Sequence, residues 1–583
     1  MRLHALALMA LAALTSCASC SKDTGGSRRI NVLLISLDST RRDLLSIYGR
    51  RPAHAPERST CPHLAKLADE GVIIEQAYAT SSWTLPSHIS LLTGEPELVH
   101  GVDVDYQRPD PVRPLIAEVL HSHGYSTAGF FSGPYLEPHF GFGRGFDRYE
   151  ARYGPEILQA SHQSAIAREQ LREAERARDP ARLRAALQAA HQATKRVETL
   201  SHRDVSSAAV TEGVLEELQR AAGDLRPFFI FAHYFDPHHD YAPPPPYDRA
   251  FDAEYSGDMD SFDWIRNPRV AGFDPNRMGI RTRVISDRDL EHIQALYEGE
   301  LAWTDAQIGR ALDELHVLGL SDNTLVIVTA DHGDEFFEHE AIGHRRTLFE
   351  EVTQIPLILR LPGRLPEGVR IKGLVSIADV VPTILDLLGL PAMGDLSSRS
   401  FLPLIDGGED DTERHVIGRL VRTYNRMLHC QADDGSSMEI PGQQIDLIET
   451  WHQGSLKLKR ERVWPVAVVE PPPAVVDFLA NLREKHHQQE TLTWIDLAAH
   501  PGERPADWSP NFHDPRALAA LRAFHDAYRD LLARRGHVDV ADNKQLLDRL
   551  RGLGYVGGGG ELMASGEFIL PPPGDSLLLE LVR

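Results

Sequence analysis

Continuous apolar runs that end directly at polar, chargeable residues recur along the first part of the chain. The clearest lie at Asn31 to Leu37, Phe228 to Ala232 and Leu325 to Thr329. Unbroken apolar runs of this length are typical of strands buried on both faces of a parallel sheet. A helical pattern at His63 to Glu70 and a strand-like Val72 to Glu75 lie between the first two runs. The pattern predicts an α/β fold with a mostly parallel central sheet flanked by helices.

The pattern changes after Gly389, where strand and helix no longer alternate. Three short strand candidates follow, at His415 to Val421, Leu456 to Leu458 and Val466 to Val469. They predict a smaller C-terminal antiparallel-sheet subdomain over 400–505. The later segments are predicted as C-terminal helices at 506–556, with helical stretches Pro515 to Arg534 and Asn543 to Leu550, and a flexible Gly- and Pro-rich tail at 557–583.

A helical insertion is predicted at 157–200. The segment is rich in Ala, Arg, Glu and Gln with helical periodicity, and Asp179 and Pro180 break it. Two interpretations fit this pattern: a solvated helical pair with no chemical role, or a cap over a functional site.

The amino terminus has the pattern of a secretory signal peptide over residues 1–16. One early Arg is followed by an apolar run from Ala5 to Leu14 that is too short for a membrane span. The next residues, LTSC ending at Cys17, resemble a bacterial lipobox, which implies a lipidated Cys17 as the membrane tether. Cys20 is the alternative lipidation site, and plain secretion is the alternative fate. The resemblance predicts an exported bacterial lipoprotein at the periplasmic face of the outer membrane or at the cell surface.

The net charge limits the classes of partner, and the cysteine content limits the number of disulfides. The 583 residues carry 61 Lys and Arg against 84 Asp and Glu, a formal charge of −23. An excess of acid argues against nucleic acid or anionic lipid as the main partner. Outside the signal region only Cys61 and Cys430 remain, so at most one disulfide is available and stability must come from the core.

The segment SWTLPSH, residues 82–88, places a hydroxyl where a helix is predicted to begin. Pro86 is suited to the first helical position, and apolar residues at helical spacing then continue to Gly94. Thr84 would therefore lie beside free backbone N–H groups and the positive end of the helix dipole, a setting that suits a tetrahedral anion. The alternative is an ordinary capping Thr before a buried helix.

Acids and histidines follow three of the predicted strands. Asp38 ends the first run, His233 and Asp236 follow the second, and Asp331 and His332 follow the third. Because ligands in open α/β sheets collect at the carboxyl ends of strands, these residues are candidate ligands.

These segments together resemble the sulfatase family, within the alkaline phosphatase superfamily. The likeness spans about residues 30 to 556 and implies a catalytic α/β domain over 29–395. It rests on segments that occur in the family's order: NVLLISLDS, CPHLAKLADEGV, SWTLPSHISLLTG, FFIFAHYFDPHHDY, LYEGELAWTDAQIG, VIVTADHGDEFFEH, IADVVPTILDLLGL and LRGLGYV.

The resemblance implies one divalent metal ion held by Asp38, Thr84, Asp331 and His332. Such ligands suit Mg²⁺, Mn²⁺, Ca²⁺ or Zn²⁺, and the imidazole favours Mn²⁺ or Zn²⁺. His238 and His344 fall where family members hold the anion or protonate the leaving oxygen.

Three departures from the family pattern bear on the reaction. Ser39 stands where many relatives have a second Asp, and His88, a predicted catalytic residue, replaces an Arg. Thr84 occupies the position of the Cys or Ser that relatives oxidise to formylglycine, so no formylglycine is expected. Since Thr has one hydroxyl, its covalent ester can be released only by attack at sulfur or phosphorus, and this favours phosphoryl transfer.

The leading hypothesis is a metal-dependent ester hydrolase with Thr84 as nucleophile, acting on phosphate, phosphodiester or phosphonate esters in preference to sulfate esters. The expected partner is an anionic ester, such as a glycan or a lipid headgroup, and the oligomeric state is left open. Two alternatives remain: a catalytically retired protein that binds sulfated or phosphorylated glycans, and a phospho-headgroup transferase.

Overall fold

The computed structural model describes most of the chain. The described residues are 29–104, 107–154, 206–259, 285–408, 414–431, 437–467, 490–536 and 538–540, with isolated positions between 156 and 200. Within them, none of the helices combines the length and apolar content that a membrane span requires.

A nine-stranded sheet forms the centre of the described structure. Its strand order is β10-β2-β11-β7-β1-β6-β4-β5, with β12 paired to β2. These strands are β1 (Asn31–Leu37), β2 (Val72–Tyr78), β4 (Ser126–Phe131), β5 (Arg148–Ala151), β6 (Phe228–Tyr234), β7 (Thr324–Ala330), β10 (Gln354–Ile355), β11 (Leu357–Arg360) and β12 (Val369–Ser376).

Most neighbours in this sheet are parallel. Strand β1 pairs in parallel with both β6 and β7, and all three strands are buried along their whole length. Only β10 and β11 run antiparallel to their neighbours. The mostly parallel α/β class predicted from the unbroken apolar runs is therefore confirmed.

Ten α-helices are described. They are α1 (Pro62–Asp69), α2 (Thr84–Thr93), α3 (Glu97–His100), α4 (Ile116–Ser122), α5 (Ser207–Ala221), α6 (Asp287–Val317), α7 (Glu350–Thr353), α8 (Val380–Leu388), α9 (Leu402–Ile405) and α10 (Pro515–Ala533). Helix α1 packs on β2 and β11, and α5 packs on β4 and β6.

A separate four-stranded antiparallel sheet follows, in the order β13-β14-β15-β16. Its strands are β13 (Val416–Gln431), β14 (Ser437–Gln453), β15 (Leu456–Ala467) and β16 (Glu490–Asp496). Two short pairs complete the described strands: β3 (Gln107–Pro109) with β17 (Val538–Val540), and β8 (Glu335–Phe336) with β9 (Ile342–Gly343). The smaller antiparallel sheet predicted after Gly389 is confirmed.

The prediction of two short strands at 456–458 and 466–469 is wrong. A single strand, β15, crosses the charged segment between them. Arg460 is buried there, and its Nε donates to Glu449 Oε2 on β14 over 2.8 Å. An ion pair across neighbouring strands thus keeps charged residues inside the sheet, which hydrophobic pattern alone does not reveal.

Several predictions fall on residues that the structure does not describe. The signal peptide, Cys17 and Cys20, the helical stretch at 543–550 and the tail at 557–583 all lie outside the described residues. Much of the 157–200 insertion does too, although its described positions are helical. Cys61 is described, and it is a buried free thiol.

Candidate active site

The carboxyl ends of three neighbouring strands carry the candidate ligands. Leu37 of β1 lies in register with Tyr234 of β6 and Ala330 of β7. Asp38, His233 and Asp331 therefore meet at one edge of the sheet, and all three side chains are fully buried. The candidate ligands from the three strand ends thus lie at one edge of the sheet.

Helix α2 brings the Thr84 hydroxyl to the same edge. Thr84 Oγ1 donates to Asp38 Oδ2 over 3.4 Å and lies 3.4 Å from His332 Nε2. The helix begins at Thr84, so the prediction that Pro86 is its first residue is wrong by two positions. Because the N–H groups of the whole first turn lack helical partners, Pro86 is tolerated inside that turn.

Asp38, Asp331 and His332 form a set suited to a cation. One ligand atom from each lies within 4.8 Å of the others. Asp331 Oδ2 is buried and has no hydrogen-bond partner among the described residues, so an unsatisfied carboxylate oxygen points into this set. Two buried carboxylates and an imidazole fit a divalent ion such as Mn²⁺ or Zn²⁺.

The electrostatics of the set favour a bound cation. Burial and the neighbouring Asp38 charge raise the pKa of Asp331 well above its ordinary value. Burial alone would also raise the pKa of Asp38, but hydrogen bonding from His233 and the nearby His238 and His332 rings lower it overall. A bound cation would relieve the repulsion between the two carboxylates.

His332 presents Nε2 to the site as an acceptor. Its Nδ1 lies 2.9 Å from the Gly333 carbonyl, which can only accept, so Nδ1 carries the proton. Burial and the nearby His344 ring lower the pKa of His332 to about 4. The ring is therefore neutral at neutral pH, and its Nε2 lone pair faces Thr84 and Asp38.

His88 lies one turn after Thr84 on α2. Its Nδ1 donates to the Thr84 carbonyl over 2.8 Å, and Ser36 Oγ lies 2.9 Å from its Nε2. Asp331 Oδ2 is 3.5 Å from the same Nδ1. Burial lowers the pKa of His88 well below its usual value, so the ring is neutral. Through these contacts His88 lies between Thr84 and Asp331 and can position both.

Ser39 fills the place where many relatives have a second Asp. Its hydroxyl donates to Asp38 Oδ1 over 2.9 Å, and its backbone N–H donates to Asp331 Oδ1 over 3.1 Å. A φ of +48° turns the backbone so that both bonds form. Ser39 thus orients two carboxylates instead of adding a third.

His238 and His344 lie together at the open side of the set. Their ring centroids are 5.1 Å apart, and His344 is 4.4 Å from the His332 ring. His344 Nδ1 lies 2.7 Å from Asp334 Oδ1, and Tyr241 donates to Asp334 Oδ2 over 2.7 Å. The two histidines predicted to act on the leaving group therefore both lie near the candidate metal ligands.

His233 and Asp236, the two weaker candidates, lie in different places. His233 belongs to the site, since its Nε2 is 3.2 Å from Asp38 Oδ2. Asp236 instead accepts hydrogen bonds at the start of α5, including one from the Ser207 N–H over 2.9 Å. Asp236 therefore caps that helix.

Sequence reasoning missed Asp334, His239 and Tyr241. Asp334 is fully buried between His344 and Tyr241, although it follows His332 by only two residues. The repeated acid in DHGDE and the paired histidines in DPHHDY were the available signals. They become interpretable only when the fold brings the two loops together.

The fold and the ligand set define a class of α/β proteins with a cation site at the carboxyl edge of a mostly parallel sheet. The sulfatase family profile matches residues 30–390. The chain belongs to the sulfatase family.

Individual relatives share limited sequence identity with this chain. Arylsulfatase K of Homo sapiens is 35% identical over 117 residues, which cover 20% of this chain and 22% of the relative's own length. The ulvan-active sulfatase of Formosa agariphila is 22% identical over 365 residues, covering 61% of this chain and 62% of that protein. Phosphonate monoester hydrolase SpPMH from Silicibacter pomeroyi shares the fold with a TM-score of 0.57 and 18% identity, covering 87% of this chain and 96% of the other.

Proposed function

We propose that the protein is a metal-dependent ester hydrolase that uses Thr84 as its nucleophile. The observation that carries the proposal is the position of Thr84 Oγ1, at the start of a buried helix and 3.4 Å from both Asp38 Oδ2 and His332 Nε2. A buried hydroxyl among candidate metal ligands is the arrangement that activates an otherwise weak nucleophile.

The chain's own residues supply most of the proposed reaction. Asp38, Asp331 and His332 would hold a divalent cation, which would lower the pKa of the Thr84 hydroxyl and balance the charge of the ester. Thr84 oxygen, its proton released to solvent, attacks phosphorus while the bond to the leaving oxygen breaks. His238 or His344 passes a proton from solvent to that oxygen as it departs. Water then attacks phosphorus, the bond between phosphorus and the Thr84 oxygen breaks, and a proton of that water returns to the Thr84 hydroxyl.

Phosphate, phosphodiester or phosphonate esters are the proposed substrates, ahead of sulfate esters. Thr84 lacks the second hydroxyl through which a formylglycine diol expels sulfate, so release requires attack at the central atom. Among relatives, the Silicibacter pomeroyi protein is named a phosphonate monoester hydrolase and the Formosa agariphila protein an ulvan-active sulfatase. These names motivate testing both ester classes.

The test compares aryl phosphate, phosphodiester, phosphonate and sulfate substrates with the Mn²⁺- or Zn²⁺-loaded enzyme. The proposal expects phosphorus esters to be turned over faster than sulfate esters, and Thr84→Ala to lose that turnover. Sulfate turnover that exceeds phosphate turnover and disappears in Thr84→Ala would overturn the phosphoryl preference. Metal-loaded protein without any turnover would favour the catalytically retired, glycan-binding alternative.

We also propose that the protein is an exported lipoprotein tethered through Cys17. The support is the apolar run followed by LTSC at the amino terminus. Expression of the full chain in a bacterial host with labelled palmitate tests it. Label in the membrane fraction that is lost in Cys17→Ser supports the proposal, whereas label lost only in Cys20→Ser moves the lipid to Cys20.

A further inference from the structure

Three histidines form a cluster of their own beside the Asp38, Asp331 and His332 set. One ring nitrogen from each of His238, His239 and His344 lies within 4.8 Å of the other two. Their ring centroids are 4.2 to 5.1 Å apart. The function proposed above uses only one of these rings at a time, and leaves His239 without a role.

The hydrogen bonds of the cluster are those of metal-binding histidines. His238 Nδ1 donates to the His239 carbonyl over 2.7 Å, and His344 Nδ1 lies 2.7 Å from Asp334 Oδ1. A ligating histidine commonly donates its other ring N–H to a carbonyl or carboxylate, which fixes the tautomer and turns the remaining nitrogen toward the ion. His238 and His344 both show this pattern.

His239 and Asp334 complete the arrangement. His239 Nδ1 is buried, has no hydrogen-bond partner among the described residues, and is 3.9 Å from Asp334 Oδ2. Asp334 is itself fully buried and is held by Tyr241. A buried carboxylate beside these imidazoles supplies the negative charge that a divalent cation needs close by.

We propose that His238, His239 and His344 bind a second divalent cation next to the one expected at Asp38, Asp331 and His332. Three imidazoles favour a borderline ion such as Zn²⁺ and leave a coordination position open for a substrate oxygen. The two sets touch where the His332 and His344 rings are 4.4 Å apart. In the proposed hydrolase, to which this catalytic role is tied, the second ion would stabilise the leaving oxygen in place of a proton from His238 or His344.

The test counts metal ions and does not require a substrate. Chelator-stripped protein is equilibrated with Zn²⁺ buffered at submicromolar free concentration, and Zn²⁺ per chain is measured by mass spectrometry of the metal. We expect two ions in the wild type, one in His239→Ala, one in His344→Gln and one in Asp38→Asn. The matched control His121→Ala, an exposed histidine, should retain two.

The wild-type count decides the inference even if a variant is unstable. One ion per wild-type chain overturns it, as does a folded His239→Ala that still binds two. Because stoichiometry is measured without turnover, failure of the proposed hydrolase activity would leave this count unchanged. Two ions without activity would therefore support the site and reject the catalytic role.

Discussion

A single hydroxyl at residue 84 sets the limits of the chemistry. Formylglycine offers two hydroxyls, one to carry the ester and one to expel it, whereas Thr84 offers one. Its neighbours, Asp38 and His332, are each 3.4 Å away and fully buried. In the proposed mechanism, release of the covalent ester therefore requires an external attacker, and water is the attacker that makes the protein a hydrolase.

Two substitutions at Thr84 distinguish the loss of the hydroxyl from a disturbance of the fold. Thr84→Ala should lower kcat/KM toward the preferred ester by at least about a thousandfold, because it removes the nucleophile. Thr84→Ser keeps the hydroxyl and should stay within about tenfold of the wild type. Steady-state kinetics with metal-loaded protein measures both, and unchanged kinetics in Thr84→Ala would rule out Thr84 as nucleophile.

Glu335 should give the stability of the protein a measurable pH dependence. Burial raises the pKa of Glu335 from its ordinary 4.5 to about 7. Between these values the folded state holds a proton that the unfolded state has released, so stability falls as pH rises from 4.5 to 7. The loss that this group causes is about 3 kcal/mol.

Urea unfolding at several pH values measures this loss. Glu335→Gln removes the titrating group, so its stability should fall less than that of the wild type between pH 4.5 and 7. The exposed Glu212→Gln is the control and should keep the wild-type slope. Parallel pH profiles for the wild type and Glu335→Gln would show that Glu335 does not titrate in this range.

At the scale of the element, helix α2 is held at both ends. Thr84 starts it at the sheet edge, and Gly94 ends it with a φ of +72°. A Cβ at Gly94 would lie 3.1 Å from Val381 Cβ and 3.2 Å from Leu396 Cδ1. The end of the helix is therefore specified both by backbone conformation and by close packing.

Gly94→Ala and Gly389→Ala form a matched pair. Gly389 ends α8 with a φ of +66°, but a Cβ there meets nothing within 4 Å. Each substitution should cost about 1 kcal/mol from the left-handed backbone. Gly94→Ala should cost about 1 to 3 kcal/mol more because of overpacking. Free energies of unfolding in urea measure the difference, and equal costs would show that the packing at Gly94 relaxes freely.

Elements and strand ends could be predicted because their signals are local. The apolar run at Asn31 to Leu37 matches β1 residue for residue, and the acids and histidines at the carboxyl ends of β1, β6 and β7 were visible as breaks in the apolar pattern. Strand β15 could not be predicted in full, since the buried Arg460 depends on partners from other strands, Glu449 among them.

The site could be predicted only in part for the same reason. Asp38, Thr84, Asp331 and His332 carry signals in their own segments, and the structure brings them together. The roles of Asp334 and His239 depend on contacts between separate loops, with Asp334 holding His344 and lying 3.9 Å from His239. No pattern within either loop encodes that approach.

At the scale of the whole molecule, the smaller sheet is hydrogen-bonded to the α/β domain at the segment just before Thr84. The Arg419 backbone N–H donates to the Thr80 carbonyl, and Ser81 Oγ donates to the Arg419 carbonyl, both over 2.9 Å. The Arg419 side chain is buried between Asp103 and Glu449. The segment leading to Thr84 is thus fixed by a strand of the second sheet.

Arg419→Met should destabilise the protein by about 3 kcal/mol, because it leaves two buried carboxylates without their shared cation. Arg516→Met is the control, since Arg516 is exposed and its ion pairs should be worth less than about 1 kcal/mol. Thermal and urea unfolding of both variants measure the contrast. A loss for Arg419→Met no larger than that for Arg516→Met would mean that this buried network does not hold the two sheets together.

The most direct test of the central claim is to trap the covalent ester on Thr84. Metal-loaded enzyme is mixed with an aryl phosphate in excess, quenched with acid during turnover, digested, and analysed by peptide mass spectrometry. The proposed mechanism predicts a phosphoryl group on the peptide containing residues 82–88, located on Thr84 and absent from Thr84→Ala. Full turnover with phosphate on another residue, or undiminished turnover in Thr84→Ala, would contradict it.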